Sequence, residues 1–179
     1  MINSVRMGNS VSLPLEGDNK SLFSFTVQDL DNKPFPLVEL KGKKFYVVVN
    51  AASCWGLTKT NYKGLNELQE EFIDNVTVVG FPCKNFGGQE HSSNADIKAF
   101  VVNEAKANFT VLGRVECEAG DNTEPLFVWM KSKINNSITG NNLKWNFHKY
   151  LLSSEGQVMR RYSPIDEPSK IAADLRKLL

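Results

Sequence analysis

The 179-residue chain has only three cysteines, two histidines and three tryptophans, and its formal net charge is +1. Each scarcity excludes something. Cys54, Cys83 and Cys117 form no C-x-x-C pair, which argues against a disulfide framework and a zinc site and favours a reducing compartment. His91 and His148 have no partner at metal spacing, so no metal centre is expected and both read as ordinary polar or half-buried residues. Charges of both signs are mixed throughout, and the runs "KGKK" and "MRRY" read as solvated faces, so no nucleic-acid partner is expected. No apolar run approaches the roughly 18 residues of a spanning helix, and the N-terminus has no secretory core. The expectation is a soluble, cytoplasmic protein. Asn19, Asn75, Asn108 and Asn135 open N-x-S/T triplets, which matter only on export, and "MGNSVS" matches a myristoylation signal only if translation starts at Met7.

What is present is ordered like one α/β domain. Residues 1–20 are polar and rich in Gly, Asn and Ser, and are expected to form a mobile arm before a single domain over 21–179. "LFSFTVQDLDNKPFPLVEL" alternates around the turn signal "DNKP" and predicts a hairpin. "KKFYVVVNAAS" is the continuous β-branched run of a central strand covered on both faces. In "TKTNYKGLNELQEEF", Tyr62, Leu65, Leu68 and Phe72 form one helical stripe, with Thr58 or Thr60 as candidate caps.

"NVTVVGFPC" is a second buried strand, closing a right-handed β-α-β unit. "NADIKAFVVNEA" and "EPLFVWMKSK" predict helices, "FHKYLLSSEGQVMRRY" an antiparallel hairpin, and "SKIAADLRKLL" a closing amphipathic helix. A β-α-β half followed by a β-β-α half is the thioredoxin-like order, with a hairpin in front, an inserted helix, and a central mixed sheet flanked by helices. The first strand-to-helix turn has Gly56 alone, without the glycine-rich loop of a dinucleotide site.

That turn, "NAASCWGLT", is where such a sheet holds a nucleophile, because unpaired N–H groups and the positive end of a helix favour a thiolate or selenolate there. Cys54 reads equally well as a redox residue or a packing residue. Two other stretches belong with it: "GFPCKNFGGQE", a polar loop after the second strand, and "KWNF", an indole and an amide before the last hairpin. Together the three motifs closely resemble the glutathione peroxidase family, in order from Phe23 to Leu178.

The resemblance implies a thioredoxin-like fold and thiol-dependent reduction of hydroperoxides, with glutathione as co-substrate and no bound cofactor. It implies a catalytic group made of Gln89, Trp145, Asn146 and a selenocysteine or cysteine at the position of Trp55. Indole carries no ionisable nucleophile, so this form is expected to be inactive. Selenocysteine is encoded by UGA, one base from the tryptophan codon UGG, which suggests a selenoprotein in which position 55 is substituted or misdecoded. A non-catalytic binding module with native Trp55 is the alternative, and rescue by Cys54 a third reading.

Cys83 and Cys117 read as structural. "KAFVVNEAK" lacks the resolving cysteine of thioredoxin-dependent members, which favours glutathione or another small thiol. The short "INNSITGNN" segment lacks the insertion of tetrameric members. By resemblance this implies a monomer of the phospholipid hydroperoxide type, able to meet lipid peroxides at membranes.

Overall fold

The computed structural model describes residues 19–134 and 141–179. Most of the expected N-terminal arm, the Met7 signal and the Asn135 triplet lie outside them, as does most of "INNSITGNN". A small antiparallel hairpin, β1 (Thr26–Gln28) and β2 (Pro34–Pro36), precedes a five-stranded sheet. The sheet contains β3 (Phe45–Ala51), β4 (Val76–Pro82), β5 (Thr110–Val111), β6 (Lys149–Ser153) and β7 (Val158–Tyr162), in the order β5-β4-β3-β6-β7. β4 runs parallel to β3 and to β5, while β6 is antiparallel to both β3 and β7. The helices are α1 (Thr58–Glu71), α2 (Asn94–Asn103), α3 (Pro125–Lys133) and α4 (Pro168–Leu178).

The β-branched run forms the central strand because both of its faces are buried. Tyr46 and Val48 join Phe81, Tyr150, Phe127 and Met130 in a core capped by α3 and the hairpin. Val47, Val49 and Ala51 point the other way, toward Tyr62, Leu65 and Leu68 of α1 and Ile171 and Leu175 of α4. Period-two alternation thus feeds two cores from one strand. The helices of the second core touch closely: a Cβ on Gly64 of α1 would sit 2.9 Å from Cγ of Pro168 at the start of α4.

Three elements differ from expectation. β5 has only two residues, too few for an alternating pattern to register. The last hairpin starts at Lys149, after Phe147 and His148, because Phe147 has φ of 60° and cannot extend the strand. Neither threonine caps α1: Thr58 is already its first residue, the N-cap is Leu57 without a side-chain hydrogen bond, and Thr60 is exposed.

Candidate active site at the carboxyl ends of β3 and β4

The sequence Ala52–Leu57 leaves the end of β3 and is held mainly by a residue that follows it. Thr58 Oγ1 accepts from the Trp55 N–H at 3.0 Å and donates to the Ala52 carbonyl at 2.7 Å. Thr58 N–H also donates to the Trp55 carbonyl at 3.0 Å. The residue is buried, so Thr58→Val leaves a donor and an acceptor without their partner in the turn. A loss of about 2 kcal/mol in unfolding free energy is expected from such a change, measurable by urea titration.

The loop after β4 closes onto this turn. Cys54 N–H donates to the Gln89 carbonyl at 2.9 Å, and Ser53 Oγ donates to Glu90 Oε1 at 2.5 Å. Glu90 Oε1 also accepts from the His91 N–H at 2.8 Å, while Oε2 is buried without a partner. Burial pushes the Glu90 carboxyl above its ordinary range. Gly87 and Gly88 have φ of 66° and 62°, and these two left-handed residues bend the loop back.

The third segment comes from before β6. Asn50 Nδ2 donates to the Trp145 carbonyl at 3.1 Å, and Phe147 N–H to the Asn50 carbonyl at 2.7 Å. These bonds fix Asn146, fully buried, so that its Nδ2 donates to Gln89 Oε1 at 2.8 Å. Since Gln89 accepts through its oxygen, its Nε2 is turned to donate elsewhere. The half-exposed Trp145 indole lies over Phe86 with centroids 6.4 Å apart. A Cβ on Gly87 would be 3.5 Å from both Trp145 Cη2 and Gln89 Cδ, which places the indole beside the glutamine. The three motifs therefore meet beyond the carboxyl ends of β3 and β4.

His148 supports that segment from behind. Its Nε2 accepts from the Lys144 N–H at 3.2 Å and its Nδ1 faces the Tyr162 carbonyl at 3.3 Å, which defines a neutral ring with the proton on Nδ1. Burial, and then the Arg161 charge, push its pKa down to about 3 from the ordinary 6.5. The depressed value means the unfolded chain takes up a proton that the folded chain refuses, so stability falls as pH drops below 6.5 and keeps falling to about 3. By pH 5 the loss is expected to reach about 2 kcal/mol. Denaturant midpoints at pH 7 and pH 5 should differ accordingly, and the difference should shrink in His148→Gln.

Trp55 is half-buried and stacks on Phe147, with centroids 5.7 Å apart and planes at 23°. Cys54 is exposed, and partial desolvation of its thiol, followed by the Glu90 and Glu104 carboxylates, pushes its pKa up. A raised pKa is the opposite of what rescue by Cys54 requires. Residues 54 and 55 lie in the turn before α1, which begins only at Thr58. Sequence pattern offered no sign of Ser53 or Glu90 and marked Thr58 only as a helix cap; the roles of all three are hydrogen bonds within and onto a turn, for which no periodic signal exists. Among the described residues no cluster of three or more His, Cys, Asp or Glu side chains is placed to hold a metal ion.

The sequence profile of the family described as glutathione peroxidase matches residues 22–131. "Phospholipid hydroperoxide glutathione peroxidase 1, chloroplastic" of Arabidopsis thaliana is 38% identical, over 89% of this chain and 67% of its own. "Probable phospholipid hydroperoxide glutathione peroxidase" of Solanum lycopersicum is 38% identical, over 89% and 94%. The crystal structure of T. cruzi GPX1 superposes with a TM-score of 0.72 at 28% identity, over 89% of this chain and 96% of that one.

The expected cytoplasmic location is corrected by these relatives, which include chloroplastic and mitochondrial proteins. The expectation rested on a search for an apolar secretory core, which bears only on secretion, because transit peptides are amphipathic and have no such core.

Proposed function

Because the chain belongs to the glutathione peroxidase family, we propose that this site serves the reduction of hydrogen peroxide and organic hydroperoxides to water and alcohols by glutathione, with position 55 as the nucleophile's seat. The observation that carries the reading is the Asn146–Gln89 side-chain bond beside a turn whose Cys54 N–H is tied to the same glutamine. A selenolate or thiolate at 55 attacks the peroxide O–O bond and releases water or alcohol. The resulting selenenic or sulfenic acid condenses with one glutathione, and a second restores the nucleophile. Gln89 Nε2, the Trp145 indole N–H and the Asn146 amide are the donors assigned to the chalcogen anion and the leaving oxygen.

Trp55 replaces selenocysteine in this reading, and the chain as written is inactive. Reading the native codon tests this part: UGA supports it, and UGG sinks it. A second reading, a non-catalytic module with native Trp55, draws on the stacking of that indole against Phe147, which suits a packing residue. Glutathione oxidation in the presence of hydroperoxide, compared between this chain and Trp55→Cys, separates the two. Glutathione is favoured over thioredoxin because α2 contains no cysteine, and its exposed face carries Val102. The remaining features of the proposal are a monomer, contact with lipid hydroperoxides, and an organelle in place of the cytoplasm.

A further inference from the structure

A groove of about 580 Å³ opens between α1 and the end of α2. That is within the usual range for a small-molecule site, about 300–1,000 Å³. Its floor is apolar, made by Ala105 and by the rings of Tyr62 and Phe100, which meet edge to face with centroids 5.5 Å apart. Asn66 of α1 fixes one wall to the other. Its Nδ2 donates to the Ala105 and Lys106 carbonyls, each at 3.2 Å, and its Oδ1 accepts from the Asn108 N–H at 3.0 Å. Lys106 has φ of 46°, a left-handed residue just past α2 that turns the chain toward α1.

The groove adjoins the site already described. It is lined at one end by Thr58, whose hydroxyl holds the turn at residue 55. Tyr62 on its floor packs on Phe147 with centroids 6.1 Å apart, and Phe147 is the ring on which Trp55 stacks. One ring therefore separates the groove floor from residue 55. The rim carries Lys59, Lys63 and Lys106, and also Glu67, Glu70 and Glu104. Three charges of each sign leave no net field for a polyanion or an anionic membrane, and suit a small molecule that carries both signs. Lys63 is paired with Glu67 at 3.7 Å. Among the described residues, neither Lys59 Nζ nor Lys106 Nζ has a hydrogen bond or an ion pair. These two free cations stand on opposite walls, Lys59 on α1 and Lys106 after α2, with Glu104 two residues from Lys106.

We propose that this groove is the docking site of the thiol co-substrate, and that Lys59, Lys106 and Glu104 recognise the charged ends of glutathione. The tripeptide carries two carboxylates, one at each end, and one ammonium. Its γ-glutamyl end, with a carboxylate and an ammonium on the same carbon, matches Lys106 and Glu104 on one wall. Its glycine carboxylate matches Lys59 on the other. The cysteinyl sulfur between them is presented past Thr58 toward position 55, while the peptide lies along Tyr62, Phe100 and Ala105. The identity of the thiol rests on the peroxidase reading; the groove and its arrangement of charge do not.

The test is an amide-resolved NMR titration of the full chain with reduced glutathione. Saturable shifts are expected at Lys59, Tyr62, Glu104 and Lys106. The dissociation constant should rise about fivefold in Lys59→Gln or Lys106→Gln, and more than about tenfold in the pair. Lys177→Gln, at the exposed end of α4, should bind as the parent does. Glutathione diethyl ester, with both carboxylates blocked, should lose most of the shifts. In Trp55→Cys the same two lysine variants should raise KM for glutathione by the same factors and leave kcat unchanged. The proposal is overturned if the shifts are absent or fall elsewhere, if the ester binds as tightly as glutathione, or if the lysine variants bind like the parent. Failure of the peroxidase reading has a different signature: Trp55→Cys does not turn over, yet glutathione still binds in the groove through the two lysines. The ester arm uses the unaltered chain, so it decides the matter even if a variant does not fold.

Discussion

Trp55→Cys is expected to oxidise glutathione in the presence of hydrogen peroxide or a lipid hydroperoxide at least about a thousand times faster than the chain carrying Trp55, since losing a covalent nucleophile removes nearly all turnover. The backbone at position 55 is held by Thr58 Oγ1 and by the bond from the Thr58 N–H to its carbonyl, not by the indole. Exchanging the side chain therefore leaves the turn in place. It does open space against Phe147, where the indole is stacked, and a modest fall in melting temperature should accompany the gain. The assay is coupled glutathione oxidation with each hydroperoxide, with thioredoxin as the alternative reductant. A folded Trp55→Cys protein no faster than the parent would remove the peroxidase reading and leave the binding-module reading in front.

In the Trp55→Cys background, Asn146→Ala is expected to lower kcat/KM for hydroperoxide by about 10²–10³-fold, the usual range for one preorganised donor at a developing anion. Two losses combine here. The buried amide itself goes, and Gln89 Oε1 loses the 2.8 Å donor that turns its Nε2 outward. Gln89→Ala should fall in the same range, and the double variant should cost far less than the product of the two, because the residues act as one unit. Steady-state rates over a range of hydroperoxide concentrations check this; full additivity would mean that the bond between them has no part in the chemistry.

Much of this arrangement was legible in the residues. β3 could be read because a seven-residue stretch built on three successive valines and buried on both faces has few other uses, and α1 because Tyr62, Leu65 and Leu68 keep helical spacing. Gln89, Trp145 and Asn146 were legible only as members of three motifs, since no periodicity marks a functional amide. Their meeting could not be read, because it depends on bonds such as Asn50 Nδ2 to the Trp145 carbonyl, between residues 95 positions apart. Lys149 was illegible for another reason. Its charge argues for the surface, yet it is fully buried, with Nζ donating to the Asp166 carbonyl at 2.7 Å. A short polar stretch of backbone supplied what composition could not announce.

The strand order has a kinetic consequence. β3, α1 and β4 are local in sequence and can condense early, but Trp145 and Asn146 reach the site only when β6 pairs antiparallel with β3. Closure of the Gln89–Asn146 bond spans 57 residues, and such non-local contacts are made late, after the loop entropy has been overcome. A chain stalled after its first half holds the β-α-β unit without the amide pair. The site is thus assembled after the β-α-β unit, and its completion reports that the second half of the chain has docked on the first.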